Sequence, residues 1–147
     1  VFMMRRLVFP MVFLLFFLLF GAGAQSISFG LGDAALETSL NDIGASAKVD
    51  MGGFQAEISL SWGQLAASVQ LALGQGLQPA EVYLAAALAN ISGKPLTTVV
   101  ELYKKDKAKG WGALAKDLGI KPGSKEFKAL KDKSTASSGK LLKKNKK

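Results

Sequence analysis

Lysine is the residue type that could do chemistry in this chain, and nearly all of it lies late. Residues 94–147 hold sixteen lysines and five acids, whereas residues 25–93 hold one lysine, Lys48, and six acids. A lysine ammonium is a compact point charge on a flexible stem. Clustered lysines therefore attract phosphate, carboxylate and sulfate groups through a salt-sensitive and weakly selective field. The candidate binding residues are Lys104, Lys105, Lys109, Lys116, Lys121, Lys125, Lys128, Lys140, Lys143, Lys144, Lys146 and Lys147. The expected partner is an anionic envelope component: lipid, lipopolysaccharide or polysaccharide. The competing reading is that these lysines only solvate short helices and a tail. A protein partner and self-association stay open, the latter through the acidic N-terminal half of a second copy.

Covalent chemistry finds little support. The chain contains no histidine and no cysteine. That excludes a histidine general base or triad, the usual zinc ligand sets and any disulfide. Ser124 and Lys125 are the elements of a serine–lysine dyad, but neighbours in sequence do not face each other on a helix, and Ser124 is better explained as a helix cap. "GLG" and "MGGF" lack the P-loop lysine and the full dinucleotide spacing, so they read as turns. The acids between 33 and 57 do not follow EF-hand spacing. The expectation is a non-enzymatic protein with no cofactor and no metal.

The elements that position the lysines begin after a leader-like stretch. Arg5 and Arg6 precede an uncharged 14-residue run, Leu7 to Phe20, and "AGA" at Ala22 to Ala24 supplies small residues. This is the layout of a secretory signal peptide over 1–24, with cleavage after Ala24 and export to the periplasm or medium. The run is short of the about 20 apolar residues that a bilayer span requires.

Residues 26–62 alternate with period two around Gly32-Asp33, Asn41-Asp42 and Gly52-Gly53, pairs that favour tight hairpins. The implied register puts Met51, Val49, Ala47, Ala45 and Ile43 opposite Phe54, Ala56, Ile58, Leu60 and Trp62, with Lys48 opposite Glu57 on the other face. The pattern predicts an α+β domain whose first part, 25–62, is a four-stranded antiparallel β-meander (26–31, 34–40, 43–51, 54–62). A helix over 33–43, capped by Asp33 and burying Leu36, Leu40 and Ile43, fits the same residues.

From Gly63 the period becomes helical. Leu65, Val69, Ala72 and Leu73 share one face; an Ala-rich segment after Pro79 reads as the central helix; Leu96, Val99, Val100 and Tyr103 form a third stripe. Trp111, Leu114, Ala115 and Leu118 form a fourth, and a last short helix follows Ser124. Four or five short helices over 63–133 are expected to cover one face of the sheet. Residues 134–147 contain five lysines, no acid and only Leu141 and Leu142 as apolar bulk. Such a segment is expected to be a disordered basic tail.

Residues 109–131, "KGWGALAKDLGIKPGSKEFKALK", also have the outline of a helix-turn-helix, the basis of an alternative nucleic-acid-binding reading. Pro122 and Gly123 lengthen the turn, the second helix lacks arginine, asparagine and glutamine, and a leader removes the chain from cytoplasmic DNA. The reading of Trp111, Leu118 and Phe127 as packed core is stronger. The longer segment 83–131, "YLAAALANISGKPLTTVVELYKKDKAKGWGALAKDLGIKPGSKEFKALK", resembles a family of small secreted bacterial proteins with the pattern G-W-G-x-x-A-K-x-L-G-I-K-P-G-S-x-E-F. "FGLGDAALETSLNDI" and "DMGGFQAEISLSWG" are similar to that family's N-terminal part. The resemblance implies a secreted bacterial domain and supplies no catalytic residue. A structural or assembly role, with a protein partner recognised through the Trp111 motif, is the remaining alternative.

Overall fold

The computed structural model describes residues 26–147, and among them the only regular secondary structure is helical. The leader-like stretch 1–24 lies outside the described residues. The helices are α1 (Ala34–Val49), α2 (Met51–Trp62), α3 (Ala66–Gly74), α4 (Pro79–Ser92), α5 (Leu96–Lys105), α6 (Gly110–Asp117) and α7 (Lys125–Lys144), with one 3-10 turn at Lys107–Lys109.

The β-meander and the α+β class are therefore wrong, and each proposed hairpin turn has another use. Asp33 is the N-cap of α1, its carboxylate accepting from the Leu36 N–H at 2.9 Å. Asn41-Asp42 lies in mid-helix. Gly52-Gly53 is the first turn of α2, capped by Asp50, whose Oδ1 accepts from the Gly53 N–H at 2.9 Å. The helical alternative was the sound one: Leu36, Leu40, Ile43 and Ala47 recur at i, i+4, i+7 and i+11, and all are buried. Met51 and Leu60, assigned to the apolar sheet face, are exposed on α2, while Phe54, Ile58 and Trp62 turn inward.

Asp50 alone links α1 to α2, so the two form a tight antiparallel hairpin. α4 crosses it as the central helix, with Val82 to Ala89 buried on every side. α3 packs against α2, α4 and α5, α5 packs against α4, and α6 lies against α5.

α7 closes the structure, and here the expected disordered tail is corrected. Residues 134–144 are helical and docked, burying Ser134, Ser137, Ser138 and Leu141 in line with Phe127 and Leu130. The Lys131–Asp33 ion pair and the Ser138–Asp42 contact set α7 parallel to α1. Lys133 to the Ser61 carbonyl, Lys140 to Glu57 and Lys144 to Asp50 set it antiparallel to α2. The buried centre of this contact is polar. Ser137 Oγ donates to Glu57 Oε1 at 2.8 Å and accepts from the Tyr83 hydroxyl at 2.8 Å, and Ser61 Oγ donates to the same Glu57 oxygen at 2.6 Å. Glu57 faces α7 and not Lys48 as the sheet register implied.

The segment expected as the first strand, 26–31, forms no strand, and its backbone pairs with side chains. Asn41 brackets the Ile27 backbone, accepting from its N–H at 2.8 Å and donating to its carbonyl at 2.9 Å. Glu37 accepts from the N–H groups of Phe29 and Leu31. The Gly112 N–H donates to the Phe29 carbonyl at 3.0 Å. A Cβ on Gly112 would collide with the Gly30 carbonyl oxygen, so only glycine fits against this strap.

Removing the Ser137 hydroxyl tests the polar seam. Ser137→Ala leaves Tyr83 without its hydroxyl partner and Glu57 with one donor fewer in a dry site. The expected loss is about 1–3 kcal/mol in urea denaturation. An unchanged midpoint would mean that the hydrogen-bonded chain does not hold α7.

Candidate functional site

α3 carries no charged residue, and α5 ends in two lysines. α5 is strongly amphipathic, with Leu96, Val99 and Val100 buried toward α4 and α3. Where the two helices lie side by side, a groove of about 410 Å³ runs between them. Leu71, Ala72, Leu96 and Val100 form its apolar wall; Ser68 and Thr97 stand along it; Gln75, Glu101, Lys104 and Lys105 make its polar end. That volume lies within the range of small-molecule sites. Lys104 Nζ donates to Gln75 Oε1 at 2.8 Å, a clasp from α5 to α3 across the mouth.

The lysines named from sequence do not form one surface. Lys140 and Lys144 face acids of the N-terminal hairpin, at 3.7 Å from Glu57 and 3.1 Å from Asp50. Lys109 pairs with Asp106, and Lys128 with Asp132. Lys116, Lys121, Lys125, Lys143, Lys146 and Lys147 are exposed on α6, the turn after it, α7 and the residues that follow α7. Only Lys104 and Lys105, of the twelve, line the groove. Sequence reasoning missed the apolar half of the site. Leu65, expected to face inward, precedes the first turn of α3 and points to solvent, and Leu71 stands exposed at the lip of the groove. The signal available was an uncharged helix opposite a lysine-ended one.

Trp111, Leu118 and Phe127 lie in or against the core. Trp111 stacks on Tyr103 with ring centroids 3.9 Å apart and 12° between planes, and its indole N–H donates to Glu81 Oε2 at 2.9 Å. The other Glu81 oxygen caps α4 through the Gln78 N–H. Burial, with the Glu81 carboxylate beside it, pushes the Tyr103 hydroxyl above its ordinary pKa. The GWG segment thus clamps α4, α5 and the strap together. In the helix-turn-helix-like segment, Phe127 and Leu130 seat α7 on its own fold.

Two further clusters have chemical character. Ser124 Oγ accepts from the Phe127 N–H at 3.1 Å and donates to the Lys121 carbonyl at 2.6 Å, so it is engaged as the cap of α7. The Glu57–Ser137–Tyr83 chain has the form of a proton relay, but Ser137 and Tyr83 are both fully shielded from solvent. Burial pushes the Tyr83 pKa up and keeps its hydroxyl a donor. No group of acids that could hold a metal ion occurs among the described residues. No helix among them is long and apolar enough to cross a membrane. Comparison with protein-family models, with curated proteins and with solved structures finds no match.

The ion pairs between the two halves carry a pH signature. Lys131 foremost, with the Leu36 N–H, holds the Asp33 carboxyl below its ordinary value of 3.8; the Gly53 N–H foremost, with Lys144, does so for Asp50. A carboxyl whose folded pKa is depressed contributes stability above its unfolded value and loses it as pH falls through the folded one. Denaturation midpoints are therefore expected to drop below about pH 4. Asp50→Asn, which keeps the cap but not the charge, is expected to flatten that drop. An unchanged acid slope in the variant would remove Asp50–Lys144 as a contributor.

Proposed function

We propose that this protein is an exported, non-enzymatic binder of an anionic amphiphile of the cell envelope. The groove between α3 and α5 takes the acyl chain, and Lys104 and Lys105 take the acidic head. The observation that carries this reading is the joining of an apolar trough to a polar end where Lys104 and Lys105 outweigh the single carboxylate of Glu101. An anionic head displaces Gln75 as the acceptor for Lys104. Lys104 and Lys105 are exposed, so their attraction is modest and salt-screened, and the chain supplies most of the affinity. Each methylene removed from water contributes about 0.8 kcal/mol. Export is supported by the leader-like 1–24 and by the resemblance of 83–131 to small secreted bacterial proteins. An intact mass beginning at Gln25 in the envelope or medium fraction is its direct check.

The test is titration with soluble lysophosphatidylglycerols of graded chain length. Affinity is expected to rise about tenfold for every two methylenes until the groove is filled. Lys104→Gln with Lys105→Gln is expected to reduce it about tenfold at low salt. Equal affinity for the zwitterionic phosphocholine analogue, or no dependence on chain length, would overturn the assignment.

A further inference from the structure

Residues 58–80 form a run without a single charged side chain, in a chain where charged residues make up 20%. The run covers the end of α2, the turn after it and all of α3. It is not simply core. Leu60, Leu65 and Leu71 are 80%, 74% and 61% exposed, and Ala66, Ala67, Gln70 and Gly74 are exposed on the same short helix. Single exposed leucines are ordinary on a soluble protein. Three of them on one run are not, because no charged side chain stands among them, with Gln70 and Gln75 adding exposed polar groups nearby.

Cations stand at both borders of the run. Next to Leu60, Lys133 Nζ bonds the Ser61 carbonyl at 3.1 Å and sits 4.7 Å above the Trp62 ring. Across the groove from Leu71 stand Lys104 and Lys105 with Glu101, a net positive set. An uncharged apolar surface bordered by lysines matches the chemistry of an anionic bilayer, with leucines entering the headgroup–acyl boundary and ammonium groups meeting lipid phosphates. Leu71 belongs to both this surface and the groove, so docking brings the groove mouth against the lipid.

We infer that the face formed by the end of α2 and by α3 is a membrane-docking surface for anionic bilayers, with Leu60, Leu65 and Leu71 as its inserting residues. The inference rests on the amphiphile reading of the groove, to which it gives a source of ligand.

The experiment is co-sedimentation of the full chain with vesicles of phosphatidylcholine alone and of phosphatidylcholine with phosphatidylglycerol. The test variant carries Leu60→Asn and Leu65→Asn, two exposed positions that do not line the groove. Wild type is expected to bind the anionic vesicles at least about tenfold more strongly than neutral ones. The double variant is expected to lose at least about tenfold of that binding while its affinity for soluble lysophosphatidylglycerol is unchanged. Anionic-vesicle binding that survives the two substitutions overturns the docking surface and leaves the groove standing. A concentration-dependent dimer in the wild type that the variant abolishes, without vesicle binding, also overturns it and makes the face a contact between copies. Failure of soluble lysophosphatidylglycerol to bind, with vesicle binding still dependent on Leu60 and Leu65, overturns the groove instead.

Discussion

The carboxylate of Glu57 leaves water where α2, α4 and α7 meet, and the helices around it are arranged so that it is never left alone. An unpaired buried carboxylate costs far more than any single apolar contact returns. Ser61 on its own helix supplies one donor, Ser137 on α7 a second, and Lys140 on α7 a nearby charge. Tyr83 completes the chain from the central helix by donating to Ser137. Removing α7 would expose this cluster and the faces of α1 and α2 on which α7 packs, so the C-terminal helix is part of the fold and no appendage to it.

The same contact explains the uneven placement of charge along the chain. The acids of the first half and the lysines of the second meet within one molecule: Asp33 with Lys131, Asp50 with Lys144, Glu57 with Lys140. These partly exposed pairs contribute little energy each, but they fix the register and direction of α7 on the hairpin. Gly53 is shaped by this need, since a Cβ there would stand 2.5 Å from the Asp50 carboxylate and 2.9 Å from Lys144 Nζ. Two sets of lysines consequently differ in role. Those of α7's inner flank orient a helix; those at the end of α5 face a groove and are open to a ligand.

Legibility in the sequence followed the chemistry of burial. The central helix was readable because Ala, Val and Leu between Pro79 and Ser92 are apolar all round. The first two helices were misread because Ala, Ser and Gly alternate there with larger residues at both periods, and only the i, i+4, i+7 spacing of Leu36, Leu40 and Ile43 distinguished helix from strand. The end of α7 was misread for a different reason. Of its buried positions only Leu141 carries a hydrophobic signal, while Ser134, Ser137 and Ser138 carry none; the partners of Ser137 and Ser138, namely Glu57, Tyr83 and Asp42, lie more than fifty residues away in sequence. Half of the candidate site was legible as Lys104 and Lys105. The other half was not, since Leu71 and Val100 become a groove only when α3 and α5 are brought together by α4.

The division of the lysines is tested most directly by mapping backbone amide shifts of the isotope-labelled protein while a soluble lysophosphatidylglycerol is added. The result expected is saturable shifts clustered at Ser68 to Gln75 and Leu96 to Lys105, with the amides of α7 unmoved. Shifts concentrated between Lys125 and Lys147, with α3 and α5 silent, would contradict it and return ligand binding to the C-terminal lysines.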